Sequence, residues 1–165
     1  MREKIRPVNP SSDVAAITAI NAWYVENSTA VFDIIPLTPE EMLKKITAIC
    51  EAYPFFVYER DGRVAGFAYA HPWKEKKAYS KTWETTIYLS PTLVANGIGV
   101  RLMQTLLEAC RAGGCHTLIA CITAENEISC RFHERLGFQQ VSHFKEVGEK
   151  FGRCLDVVDY QLILD

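Results

Sequence analysis

The sequence lacks the long apolar segments that membrane proteins need. No apolar run approaches the roughly 18 residues of a membrane-spanning helix, and residues 1–13 contain no apolar core of the kind found in secretory signal peptides. The formal net charge is only −2, which gives no electrostatic reason to expect nucleic acid or an anionic membrane as a partner. These absences predict a cytoplasmic protein that binds neither nucleic acid nor membranes.

Paired cysteine motifs are also missing. The chain has six cysteines, but no two of them have the CxxC spacing of a zinc knuckle. Cys50 and Cys110 end helix-like patterns, and Cys121 closes a strand-like run. Because the thiols fall inside apolar segments, the pattern favours buried free cysteines over a disulfide framework. We expect no metal site.

What is present indicates one domain of mixed α/β structure. The 165 residues contain no internal repeat, low-complexity tract or linker, so we predict a single domain over residues 1–165. The apolar periodicity predicts a strand, two helices and three strands, then a helix, a strand, a helix and two final strands. This order is typical of a mixed sheet with helices packed on it.

Local signals mark several element ends. Ser12 and Asp13 are the predicted cap of the first helix. Thr38-Pro39 followed by Glu41 is a capping box, and it predicts a second helix that runs to about Cys50. Asp61-Gly62 between two apolar runs predicts a β-hairpin.

A glycine-rich turn joins the strand predicted at Trp83–Ser90 to an amphipathic helix over residues 97–111. Gly97 and Gly99 let backbone N–H groups converge on an anion, and the helix N-terminus adds partial positive charge at the same point. A pyrophosphate suits such a turn, but GxG alone fits a tight turn with close helix packing equally well. The chain has neither a Walker loop nor a GxGxxG fingerprint in its first βα unit.

Three further blocks, taken with this turn, resemble one enzyme superfamily. They are Ala78-Tyr79-x-x-Thr82-x-Glu84-x-Thr86-Ile87-Tyr88, Asn126-x-x-Ser129-x-x-x-His133-Glu134-x-Leu136-Gly137-Phe138 and Val147-Gly148-x-Lys150-Phe151-Gly152-x-x-x-Asp156-Val157. With Gly97-Ile98-Gly99, they resemble the GNAT acyltransferases, and more closely the branch similar to phosphinothricin acetyltransferase. The resemblance spans nearly the whole chain.

The resemblance implies a GNAT-type α/β domain whose twisted mixed sheet splays open between the fourth and fifth strands, flanked by about four helices. It also implies acetyl-CoA as cosubstrate, with its pyrophosphate on the glycine turn. Val94 departs from the family, which usually has Gln or Arg there. The expected cofactor-binding residues are Ile87, Tyr88, Leu89, Val94, Ala95, Asn96, Gly97, Ile98, Gly99, Val100, Asn126 and Ser129.

Acetyl transfer to an amine needs a base, because amino-acid amines are mostly protonated at neutral pH. Strand alternation puts Glu84 on one face with Thr86 and Tyr88, so Glu84 is the candidate base, acting through water. Asn126 and His133 share a helical face with Ser129, and His133 with an ordinary pKa is the candidate acid.

The resemblance implies an acceptor such as phosphinothricin, methionine sulfoximine or methionine sulfone. The candidate residues for binding it are Phe32, Lys76, Tyr79 and Thr86. Two alternatives stay open: acetylation of proteins or peptides, and a non-catalytic acyl-CoA sensor. Proteins similar to this one are commonly homodimers, so a homodimer is expected.

Overall fold

The computed structural model describes residues 1–93 and 97–165. Within these residues the chain forms seven strands and four α-helices. In chain order they are β1 (Glu3–Pro7), α1 (Pro10–Asn27), α2 (Pro39–Cys50), β2 (Phe55–Arg60), β3 (Arg63–Pro72), β4 (Thr82–Leu89), α3 (Ile98–Ala112), β5 (Thr117–Thr123), α4 (Glu127–Arg135), β6 (Gln139–Lys150) and β7 (Arg153–Ile163). The predicted order of strands and helices is therefore confirmed.

The strands form one sheet in the order β1-β2-β3-β4-β5-β7-β6. Strands β4 and β5 are parallel neighbours, and they pair through only three residues each, 82–84 and 117–119. The pairs on either side of them, β3 with β4 and β5 with β7, are antiparallel. The sheet is thus mixed and opens between its fourth and fifth strands, which confirms the predicted fold.

Helices cover both faces of this sheet. On one face, α1 and α2 pack against β2 and β3 through a core that includes Ile17, Ile46 and Phe67. On the other face, α3 packs against the same strands through Leu102 and Leu106. None of the helices in the described part of the chain is both long enough and apolar enough to cross a membrane.

The helix caps agree with the sequence at α2 but not at α1. The Thr38 capping box forms as predicted. Helix α1 is capped by Asn9, whose side chain accepts a hydrogen bond from the Ser12 N–H, so the predicted cap at Ser12 and Asp13 is wrong. The helix begins earlier because Pro10 lacks an N–H and is favourable in the first turn. Asp13 is buried instead, in a bidentate pair with Arg6.

All six cysteines are free thiols. Cys110 and Cys115 are buried as predicted, but Cys50, Cys121 and Cys154 are exposed. Apolar neighbours along the chain therefore did not predict burial at these three positions.

Candidate active site

A large cleft opens where β4 and β5 separate. Beyond Glu84 the strands diverge, and the space between them measures about 1090 Å³. From Thr85 to Leu89, β4 is paired with β3 alone. Alternate backbone N–H and C=O groups on its other edge therefore face the cleft.

The structure brings most of the predicted site residues to this cleft. Those that line it are Phe32, Glu84, Thr86, Ile87, Tyr88, Leu89, Gly97, Ile98, Gly99, Val100, Asn126, Ser129 and His133. Val94, Ala95 and Asn96 lie outside the described residues.

Two of the predicted substrate residues do not reach the cleft lining. Lys76 and Tyr79 belong to an exposed loop with a short 3-10 turn at Lys77–Tyr79, before β4. The Tyr79 ring packs edge-on against Trp73, and the Lys74 ammonium lies 4.5 Å from the Trp73 ring centre. These contacts hold the loop together away from the cleft.

Strand β4 presents alternate side chains to its two faces. Its register with β3 runs without a bulge from Trp83 to Leu89. Ile87 and Leu89 pack toward the α3 core, whereas Tyr88 packs toward the core of α1 and α2. The predicted shared face of Glu84 with Tyr88 is therefore confirmed.

Glu84 lies at the closed end of the cleft and has a histidine beside it. His71 is directly opposite Glu84 in the β3–β4 ladder, and its Nε2 lies 3.5 Å from Glu84 Oε2. The two side chains are 30% and 27% exposed, respectively. Both groups therefore retain contact with water.

The two glycines of the turn have different structural roles. Gly97 has a φ of 74° and has no side chain with which to cap the helix that begins after it, so no side chain of the described residues satisfies the first N–H groups of α3. Gly99 lies against Phe132 of α4, and a Cβ at Gly99 would be 3.2 Å from Phe132 Cε2. Gly97 thus suits an anion site, while Gly99 permits close packing between helices.

Helix α4 carries the polar residues on the other side of the cleft. Asn126 caps this helix by accepting a hydrogen bond from the Ser129 N–H at 3.2 Å. His133 is only 4% exposed, and its Nδ1 lies 2.8 Å from the Ser129 carbonyl oxygen. A carbonyl only accepts, so Nδ1 carries the proton and the neutral ring has a free lone pair on Nε2. The expected ordinary pKa is wrong, since burial lowers the pKa of His133.

A strap of four residues, Ser28–Val31, crosses the opening between the separated strands. Each of its carbonyl oxygens accepts a hydrogen bond from a side chain elsewhere in the fold. The donors are Lys150 to Ser28 and Val31, Thr123 to Thr29, and Tyr88 to Ala30. Since Tyr88 belongs to β4 and Thr123 to β5, the strap ties the two strands together where their own pairing has ended.

The sequence did not indicate that Lys150 and His71 belong to the site. Lys150 was visible only as part of a motif, and nothing in its neighbourhood along the chain shows that it is buried. Its burial lowers the pKa of Lys150, although Asp33 opposes this effect. His71 shows no motif spacing, but correct pairing of the two flanking strands would have placed it opposite Glu84.

Comparison with known proteins identifies relatives over nearly the full chain. Residues 17–138 match the acetyltransferase (GNAT) family. The chain is 37% identical to a phosphinothricin N-acetyltransferase of Streptomyces viridochromogenes, covering 96% of this chain and 86% of that protein. It is 34% identical to an L-methionine sulfoximine/L-methionine sulfone acetyltransferase of Pseudomonas aeruginosa, covering 93% and 91%.

A solved structure shares the whole architecture. The GNAT superfamily phosphinothricin acetyltransferase of Sinorhizobium meliloti, in complex with acetyl-CoA, superposes with a TM-score of 0.95 at 33% identity. The match covers 99% of this chain and 89% of that one. Since a family match over most of the chain agrees with a sheet that opens between its parallel strands, the chain belongs to the acetyltransferase (GNAT) family and is an N-acetyltransferase.

Proposed function

We propose that this enzyme uses acetyl-CoA to acetylate the amino group of a small amino acid or amino-acid analogue of the phosphinothricin, methionine sulfoximine or methionine sulfone type. The observation that carries the proposal is the position of Glu84. It is the last residue of β4 that pairs with β5, and it lines the cleft where the strands part. The relatives named for these substrates support the substrate class.

Features of the cleft support acetyl-CoA as cosubstrate. The start of α3 beside Gly97, where no side chain of the described residues caps the helix, suits a pyrophosphate. The unpaired edge of β4 suits the amides of a pantetheine arm, which would add to the sheet as a short strand. Thr85 is among the residues that line the cleft, and its buried hydroxyl has no hydrogen-bond partner among the described residues.

In this proposal Glu84 removes a proton from the acceptor ammonium, through one or two waters. Acetyl-CoA supplies the activated acetyl thioester. The acceptor ammonium loses two protons when it becomes an amide. Glu84 takes one of them, and the other protonates the departing thiolate of coenzyme A. In this proposal backbone N–H groups on the free edge of β4, near Ile87, polarise the acyl oxygen, which the pairing of β4 with β3 alone supports.

His133 has a different role in this proposal from the acid expected of it. Its ring packs edge-on against Phe132 and Phe138, with centroid distances of 5.1 Å in each case. Because burial lowers its pKa, the ring is neutral at neutral pH, and its one proton is held by the Ser129 carbonyl. We therefore assign it to orienting α4 and lining the cleft.

The strap favours a small acceptor over an extended peptide. It crosses from Tyr88 in β4 to Thr123 in β5 and is anchored below by Lys150. A peptide substrate needs an open groove that passes across this region. A free amino acid needs only the closed end near Glu84.

The test is thiol release from acetyl-CoA in the presence of phosphinothricin, methionine sulfoximine, methionine sulfone, the common amino acids and short peptides. We expect release with one of the first three compounds and none with peptides. Release with peptides alone would overturn the proposed substrate class. Tight acetyl-CoA binding without release from any amine would favour the sensor.

Glu84→Gln tests the base. Its kcat is expected to fall by about a hundredfold, the low end for loss of a positioned base. Glu108→Gln is the matched control, because Glu108 is exposed on α3 and does not line the cleft. Wild-type turnover by Glu84→Gln between pH 6 and 9 would show that another group is the base.

A further inference from the structure

The pair formed by His71 and Glu84 is a chemical arrangement that the reaction described above does not use. The two residues face each other across the β3–β4 ladder. Their nearest ring nitrogen and carboxylate oxygen are 3.5 Å apart. This is close enough for a direct hydrogen bond after a small rotation of either side chain, or for a single bridging water.

The other ring nitrogen of His71 determines how the pair shares its protons. His71 Nδ1 lies 3.0 Å from the Pro72 carbonyl oxygen, which can only accept, so Nδ1 carries a proton. In the neutral ring Nε2 then has a lone pair directed at the Glu84 carboxylate. That lone pair can accept a proton from Glu84 once the carboxylate has taken one up.

Across the gap from Glu84, the ionisable group that the described residues place near it is the thiol of Cys121. Cys121 of β5 is near enough for Glu84 to raise its pKa. The largest cause of the raised pKa is desolvation of the thiol, and the second is the charge of Asp159. Together these effects raise the pKa of Cys121 to about 12, even though part of its surface reaches the cleft. The thiol therefore stays protonated at neutral pH and does not take a proton from Glu84.

Tyr69 of the same strand also lies near His71, and Lys45 of α2 lies near Tyr69. The Tyr69 ring lies 5.8 Å from the His71 ring between centroids, and the Lys45 ammonium lies 5.7 Å from the Tyr69 ring centre. Neither group bonds to His71. Its other face is open to water, since its side chain is 30% exposed.

We propose that His71 is a positioning and proton-relay residue, which receives from Glu84 the proton taken from the amine and releases it to water. The proton moves from Glu84 Oε2 to His71 Nε2, which gives the imidazolium and restores the carboxylate. The imidazolium then loses that proton to solvent and returns to its neutral form. This inference rests on the proposed function, in which Glu84 is the base.

The test compares His71→Gln and His71→Ala with the wild type in steady-state turnover. We expect kcat to fall by about tenfold, less than the loss of the base itself, while the KM for acetyl-CoA stays within twofold. Added imidazole is expected to restore most of the kcat of His71→Ala. Rescue by imidazole distinguishes a proton relay from a loss of packing, because a packing defect does not respond to a free base.

His143→Gln is the matched control. His143 also pairs with a carboxylate, at 2.8 Å from Asp156, but neither residue lines the cleft. It is expected to have wild-type kcat with no response to imidazole. Thermal unfolding of each variant shows whether it is folded at the assay temperature.

A double variant separates failure of the relay from failure of the base. In a Glu84→Gln background, His71→Gln is expected to cause no further loss, since His71 acts only through Glu84. If Glu84→Gln is slow but His71→Gln turns over like the wild type, the relay is wrong and the base stands. If Glu84→Gln itself retains full activity, the proposed base is wrong and the relay fails with it.

Discussion

The ammonium nitrogen of Lys150 lies 2.6 Å from the carbonyl oxygen of Val31. Lys150 is 3% exposed, and the same nitrogen donates to the Ser28 carbonyl at 2.7 Å. A charge is rarely buried without an opposite charge in contact, because its desolvation is costly. Here the two carbonyl dipoles replace the lost water, and the bonds hold both ends of the strap over the cleft.

Lys150→Met is expected to loosen the strap. The variant leaves two carbonyls without their charged donor and should lower the free energy of unfolding by about 2 kcal/mol, measured by urea denaturation. The KM for the amine should rise more than the KM for acetyl-CoA. Lys145→Met, at an exposed position of the same strand, is the control, and an equal effect there would refute the role of Lys150.

Gly148→Ala is expected to displace Phe32 from the wall of the cleft. A Cβ at Gly148 would lie 2.8 Å from Phe32 Cζ, so the ring must move. We expect a several-fold higher KM for the amine with little change in the KM for acetyl-CoA. Phe32→Leu in the same chain should remove the clash, so the double variant should bind the amine better than Gly148→Ala does. Additive losses would contradict this account.

Gly97→Ala tests the anion site at the start of α3. Gly97 has a φ of 74°, and apart from its chain neighbours no atom of the described residues lies within 4 Å of where its Cβ would be, so the expected cost is backbone strain of about 1 kcal/mol. Gly62→Ala is the matched control, because Gly62 has a φ of 79°, equal space and a position in the β2–β3 turn. Both variants should lose similar stability, but only Gly97→Ala should weaken acetyl-CoA binding in calorimetry. Equal affinities would place the pyrophosphate elsewhere.

His133 should make stability depend on pH. Burial lowers its pKa in the folded protein below the ordinary value of about 6.5. The stabilisation that comes from the neutral ring is therefore complete above pH 6.5 and is lost as the pH falls through the lowered pKa. In His133→Phe this acid-dependent loss should disappear from melting curves, whereas His116→Gln, at an exposed position, should retain it. An NMR titration of His133 at or above 6.5 would contradict the prediction.

Short-range patterns in the sequence were enough for the elements and for much of the site. The capping box at Thr38 and the Asp61-Gly62 turn depend on neighbours within three or four residues, and both form as predicted. The shared face of Glu84 and Tyr88 follows from strand alternation, which holds because no bulge interrupts the ladder. The resemblance to the GNAT family was likewise carried by the order of motifs along the chain.

Contacts between distant segments were decided only by the tertiary structure. Lys150 meets Ser28 and Val31 across 122 and 119 residues of chain, and His71 meets Glu84 through strand register. Whether Lys76 and Tyr79 reach the cleft depended in the same way on how their loop folds. The sequence alone determined which residues form helices, strands and turns, because those preferences act between near neighbours. Which polar groups share a buried space depends on how separate elements pack, and local patterns carry little information about that.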